Sequence, residues 1–138
     1  MISKFPLSSA IRLSAAIVLS GGVAVHAAPP TQPPISRTDL QRHSLSIAGR
    51  EVIQTRVDFA PGATAPAHKH PGEEIVYVLK GSLEYRLDGK PPVTLHTGDV
   101  LFIPYGSVHA VTNVGKGSAS ELATYVVEKG KPLVVLAT

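Results

Sequence analysis

The sequence predicts an all-β domain, a single jelly-roll β-barrel that follows a cleaved N-terminal signal peptide. Three observations carry that prediction. Short β-branched and aromatic runs alternate with Gly, Pro and Asp turn signals. No segment of the mature chain sustains a helical period. The opening residues have the layout of an export signal. The chain has 138 residues and no internal repeat, which argues for one domain.

Residues 1–27 read as the signal. Lys4 and Arg12 form a positive n-region with no acidic neighbour, and Leu13 to Val25 is an apolar h-region. Val25-His26-Ala27 places small or apolar residues where a signal peptidase reads, so cleavage is expected after Ala27. The alternative is a membrane anchor, but thirteen residues fall short of the roughly 20 needed to cross a bilayer. The expected location is the periplasm or the exterior.

Losing Lys4 and Arg12 lowers the formal charge from +3 to +1. A nearly neutral mature domain gives no footing for nucleic acid, and no Lys/Arg run offers a membrane patch. There are no cysteines. Disulfides, cysteine zinc sites and thiol nucleophiles are therefore excluded.

Residues 28–37 are expected to form a flexible proline-rich linker, and residues 38–138 the barrel domain. Thr38 to Gly49 is ambiguous, because Leu40, Leu45 and Ile47 are too sparse for a helix. Glu51 to Phe59 alternates, with Ile53, Thr55, Val57 and Phe59 on one face. Pro66 to His70 is extended, and Pro71-Gly72 turns the chain. Glu74 to Leu79 is a β-branched and aromatic run that Gly81 ends. Ser82 to Leu87 alternates again. Asp88-Gly89 makes a hairpin turn, since both residues tolerate positive φ. Val93 to Leu95, Val100 to Ile103, Val108 to Val114, Leu122 to Glu128 and Leu133 to Leu136 complete the strands, with Gly/Pro/Asp turns between them.

The chemistry concentrates in two stretches. Strand alternation sends His68 and His70 to one side. After the Pro71-Gly72 turn Glu74 can face the same interior, followed by Val76 and Val78. Ile75, Tyr77 and Leu79 then form a second apolar face, suited to another sheet or a second subunit. His109 lies on a later strand that can come opposite His68 and His70. Three neutral imidazoles and one carboxylate suit a first-row divalent metal. One carboxylate on such an ion leaves a net charge of about +1, which favours an anionic substrate or a bound oxygen species. The plain reading of any single residue is structural. His43 and His96 are taken as surface or satisfied core residues, and His26 leaves with the signal. Glu73, Glu84, Glu121 and Glu128 are taken as solvated. Tyr77, Phe102, Tyr105 and Tyr125 are taken as core or interface residues without a role.

These stretches resemble the two motifs of the cupin superfamily. Gly62, five residues, His68-x-His70, three residues, Glu74, six residues and Gly81 match the first; this spacing also selects Glu74 over Glu73. Gly98, five residues, Pro104-x-Gly106, two residues, His109, three residues and Asn113 match the second. Sixteen residues separate them, close to the spacer of small bacterial single-domain cupins. The resemblance implies a jelly-roll barrel, often a homodimer. It implies iron, manganese, nickel, copper or zinc held by His68, His70, Glu74 and His109. It does not imply one reaction. By analogy with quercetinase-type cupins, the leading expectation is a dioxygenase-like enzyme acting on a small oxygenated molecule. Val76, Val78 and Tyr85 would line its pocket, and Glu74 would double as the catalytic base. The alternatives are a redox-silent isomerase or lyase with the same residues, and a non-catalytic module binding a metal or small ligand.

Overall fold

The structure is a computed structural model that describes residues 33–138. The expected signal peptide, and residues 28–32 of the expected linker, lie outside the described residues. Ten strands run in order: β1 Ile35–Ser44, β2 Arg50–Phe59, β3 Thr64–Lys69, β4 Gly72–Lys80, β5 Ser82–Leu87, β6 Val93–His96, β7 Val100–Ile103, β8 His109–Asn113, β9 Ala119–Glu128 and β10 Val135–Leu136. They form two five-stranded antiparallel sheets, ordered β1-β2-β9-β4-β7 and β10-β3-β8-β5-β6. The sheets are separately hydrogen-bonded, each with its own edges, so the architecture is a two-sheet jelly roll and not a fully closed barrel.

One hydrophobic core draws on both sheets. Val57, Phe59, Val76 and Val127 come from the first; Leu83, Leu87 and Val111 come from the second. The alternation in β2 sets its burial, with Ile53, Thr55, Val57 and Phe59 inside.

Three expectations change. β1 takes in Ile35–Arg37, which composition had assigned to the linker, and it resolves the ambiguous stretch after Thr38. Its ladder runs from Ile35 opposite Phe59 to Ser44 opposite Glu51. Backbone pairing makes this strand, since its side chains after Ser36 are exposed. The Asp88-Gly89 turn is present, but only Gly89 has positive φ (73°), and the Lys90 amide donates to the Leu87 carbonyl. Finally, Gly72 opens β4 rather than turning the chain. A Cβ there would sit 2.1 Å from the Val126 carbonyl oxygen and 2.6 Å from Val127 Cα. Glycine lets β4 seat directly on β9, and this contact aims Glu74 inward.

The outer face of β4 is open in the single chain. Ile75, Tyr77 and Leu79 are exposed, and Val100 and Phe102 of the edge strand β7 extend the strip through the pairs Ile75–Phe102 and Tyr77–Val100.

Candidate metal centre

Two sheets contribute to one buried cluster. His68 on β3 lies directly opposite His109 on β8. His70 follows the end of β3, where the His-x-His alternation keeps it beside His68. Ring centroids are 4.3 Å apart for His68–His109, 5.0 Å for His68–His70 and 5.2 Å for His70–His109. One ligand nitrogen from each lies within 4.8 Å of the others. Glu74 arrives from β4 in the opposite sheet. Its Oε2 lies 3.1 Å from His70 Nε2 and 3.2 Å from His109 Nε2. All four side chains are buried.

The far side of each ring is tied down. His68 Nδ1 lies 2.7 Å from the Pro66 carbonyl, His70 Nδ1 2.6 Å from the Leu133 carbonyl, and His109 Nδ1 3.0 Å from the Ser107 carbonyl. A carbonyl can only accept, so each Nδ1 carries the proton, and in its neutral form each ring presents the Nε2 lone pair to the cluster. His70 Nε2 and Glu74 Oε2 are buried without a hydrogen-bond partner. Buried polar atoms are rarely left so. A divalent cation among these lone pairs would satisfy them, and the donor set fits one.

The electrostatics keep Glu74 ionised beside the rings. Burial pushes the Glu74 carboxyl up, but His109 and His70 outweigh it and hold it down at about 2. Burial lowers His68. Burial also pulls His109 down, yet contact with Glu74 leaves it raised overall.

Glu74, Val76 and Val78 all point inward, as alternation requires. Only Glu74 reaches the cavity beside the histidines. Val76 and Val78 are wholly enclosed in the core, so the expected pocket role does not hold for them. Tyr85 does line the cavity.

Two further lining residues were not foreseen. Glu121, expected to be solvated, is buried on β9 and accepts the Tyr85 hydroxyl proton. Burial first, and then the Glu74 charge, push its carboxyl up to about 8 despite the Tyr85 hydrogen bond. Tyr125 is buried with its ring 4.7 Å from that of His70. Its hydroxyl accepts from Arg37 of β1 at 2.9 Å. Strand alternation gave a hint for Glu121, which shares a face with Ala119, Ala123 and Tyr125. By contrast Tyr77, Phe102 and Tyr105 are exposed. His43 and His96 stay outside the cluster on the surface, and Glu73, Glu84 and Glu128 are half-buried.

The fold and this cluster define a small β-sandwich with three buried histidines placed so that they could hold a metal ion. Residues 55–134 match the cupin domain family, and the chain belongs to it. A germin-like protein (subfamily 2 member 2) from Arabidopsis thaliana is 41% identical over 82 residues, covering 54% of this chain and 36% of the relative. A dimethylsulfoniopropionate lyase from Ruegeria pomeroyi is 45% identical over 49 residues, covering 36% of this chain and 24% of the lyase. The chain thus spans well under half the length of these curated relatives. The structure of a recombinant oxalate oxidase in complex with glycolate superposes with a TM-score of 0.61 at 30% identity, covering 77% of this chain and 56% of the oxidase.

Proposed function

We propose that this protein is an exported metal-dependent enzyme that oxidises a small oxygenated molecule with dioxygen, in the manner of a dioxygenase. The observation that carries the reading is the clustering of three buried histidine rings, two of which place Nε2 3.1 and 3.2 Å from the Glu74 carboxylate. His68, His70, His109 and Glu74 would hold one divalent first-row ion, which supplies Lewis-acid or electron-relay chemistry when bound.

The chain's own residues do the rest. Carbonyl contacts at Nδ1 lock the three rings in tautomer and direction. Glu74 is ionised and is the base of the site; on leaving the ligand set it can take a substrate proton at its carboxylate. Burial favours the protonated form of Glu121, which places a carboxyl on the same cavity wall as a candidate acid. The cavity is about 30 Å³, room for roughly two waters. It admits a molecule of a few heavy atoms and excludes bulk water.

The match to an oxalate oxidase supports the oxidative reading. The match to a dimethylsulfoniopropionate lyase supports a second one, a redox-silent lyase or isomerase using the same residues. Export rests on the sequence of residues 1–27. The exposed strip of Ile75, Tyr77, Val100 and Phe102 supports a homodimer.

The test is oxygen uptake by protein reconstituted with each of iron, manganese, nickel, copper and zinc, offered a panel of small hydroxy compounds, acids and enols. Metal-dependent uptake that Glu74→Gln abolishes is the expected result. Turnover that persists without dioxygen would replace it with the lyase reading. Turnover no greater than that of Glu74→Gln would leave a non-catalytic binding module.

A further inference from the structure

Arg37 occupies an unusual place. In the β1–β2 ladder it stands opposite Val57, between the pairs Ile35–Phe59 and Asp39–Thr55. Paired residues in such a ladder share a face, and Val57, Phe59 and Thr55 all point into the core. Arg37 is therefore an inward-facing cation on an edge strand. It lines the same small cavity as His68, Glu74, His109 and Tyr125. It also remains exposed at its outer side, so it sits at the rim between cavity and solvent.

Its bonding leaves most of its donors unused. Among the described residues, its side-chain hydrogen-bond partner is the Tyr125 hydroxyl at 2.9 Å. The guanidinium also lies 5.7 Å from the Tyr125 ring centroid. A guanidinium has five N–H donors in a fixed fork, and a neutral phenol takes only one. The Tyr125 hydroxyl, while accepting from Arg37, keeps its own proton to donate. A planar anion placed here would meet both groups, and a carboxylate matches the fork two-pronged.

Charge points the same way. A divalent ion with Glu74 leaves about +1, and Arg37 adds another positive charge at the rim. Burial disfavours a second negative charge at Glu121 on the cavity wall. Arg37 also lies upstream of residues 55–134, outside the stretch that the cupin motifs define.

We infer that Arg37 and the Tyr125 hydroxyl form a carboxylate subsite at the cavity rim, so that the substrate is a small carboxylic acid held by its carboxylate on Arg37 with its oxygenated carbon toward the histidine cluster. This rests on the metal-centred reading above and narrows its substrate class. Arg37 is a specificity-determining residue on this account, since it touches the substrate away from the reacting carbon.

Zinc-loaded protein makes the test independent of turnover. Glycolate and its uncharged amide, glycolamide, are titrated calorimetrically into wild type, Arg37→Met and Arg37→Lys, with zinc content and thermal midpoint measured for each. Removing a charge-assisted hydrogen-bonding group should weaken glycolate binding by about tenfold to a hundredfold in Arg37→Met. Glycolamide binding should stay within about twofold, and Arg37→Lys should recover part of the loss. Should Arg37→Met fail to fold, Arg37→Gln serves in its place. Unchanged glycolate affinity in a folded, zinc-loaded Arg37→Met would overturn the subsite while leaving the metal centre standing. So would a wild type that holds zinc but binds no glycolate. Failure of wild type to retain zinc would instead strike at the metal reading, and the subsite would fall with it.

Discussion

The two sides of the cavity solve the burial of polar atoms in opposite ways. On one side, His68, His70 and His109 spend Nδ1 on backbone carbonyls, and His70 Nε2 faces a Glu74 oxygen that, like it, lacks a partner. On the other side, Tyr85 bonds Glu121 and Arg37 bonds Tyr125, so each of these groups has a partner, and only Arg37, at the rim, keeps spare donors. A core under selection for stability alone would not keep bare lone pairs pointed together, because each unsatisfied group costs about 1–3 kcal/mol. The unsatisfied side fits an ion brought in from outside. The satisfied side is wall and, at Arg37, rim.

The first prediction removes both sides at once. Gly72→Ala would force a Cβ into the backbone of β9, which also carries Glu121 and Tyr125. We expect a loss above about 4 kcal/mol, seen as loss of the folded circular dichroism signal. A folded Gly72→Ala with intact metal binding would show that the β4–β9 contact is not what seats Glu74.

The next two separate the sides. His109→Ala should weaken metal binding by more than about a hundredfold while the protein stays folded, measured by competition with a chelator. Tyr85→Phe should do the reverse. It deprives Glu121 of its donor and should cost about 1–3 kcal/mol in urea denaturation, with metal affinity within a few-fold of wild type. If both variants lost metal equally, the division between the sides would be false.

A pH series sharpens the satisfied side. Folding raises the Glu121 carboxyl from 4.5 to about 8, so the folded form holds its proton more tightly than the unfolded chain does. That contribution is complete below about pH 4.5 and is lost as pH rises through about 8. Thermal midpoints should therefore fall across this window, and Glu121→Gln should flatten the decline. An equally steep decline in Glu121→Gln would assign it to other groups. The smallest effect is expected at His96, exposed and 2.9 Å from the Ser82 hydroxyl. His96→Ala should change stability by under about 0.5 kcal/mol and leave metal content unaltered.

The histidine side was readable because its residues stand close together on strands of short period. His68, His70 and Glu74 fall within seven positions, and alternation alone decides which way they face. His109 came from spacing between turn residues. The opposite wall was readable only at Tyr85. Arg37, Glu121 and Tyr125 come from β1 and β9, and their meeting with Tyr85 of β5 depends on which strands pair across the fold. Glu121 looked like a solvent residue because carboxylates on strands usually are. Arg37 looked like linker because proline-rich composition hid a strand made by backbone pairing. Val76 and Val78 were rightly sent inward but wrongly sent to the cavity, since alternation gives the side of a sheet and not the depth along it.

The most direct test is elemental analysis of protein purified after native export, beside a His68→Ala/His109→Ala control. The account predicts close to one equivalent of a first-row divalent metal in wild type and none in the control. Folded wild type with no metal, and no uptake on reconstitution, would contradict it.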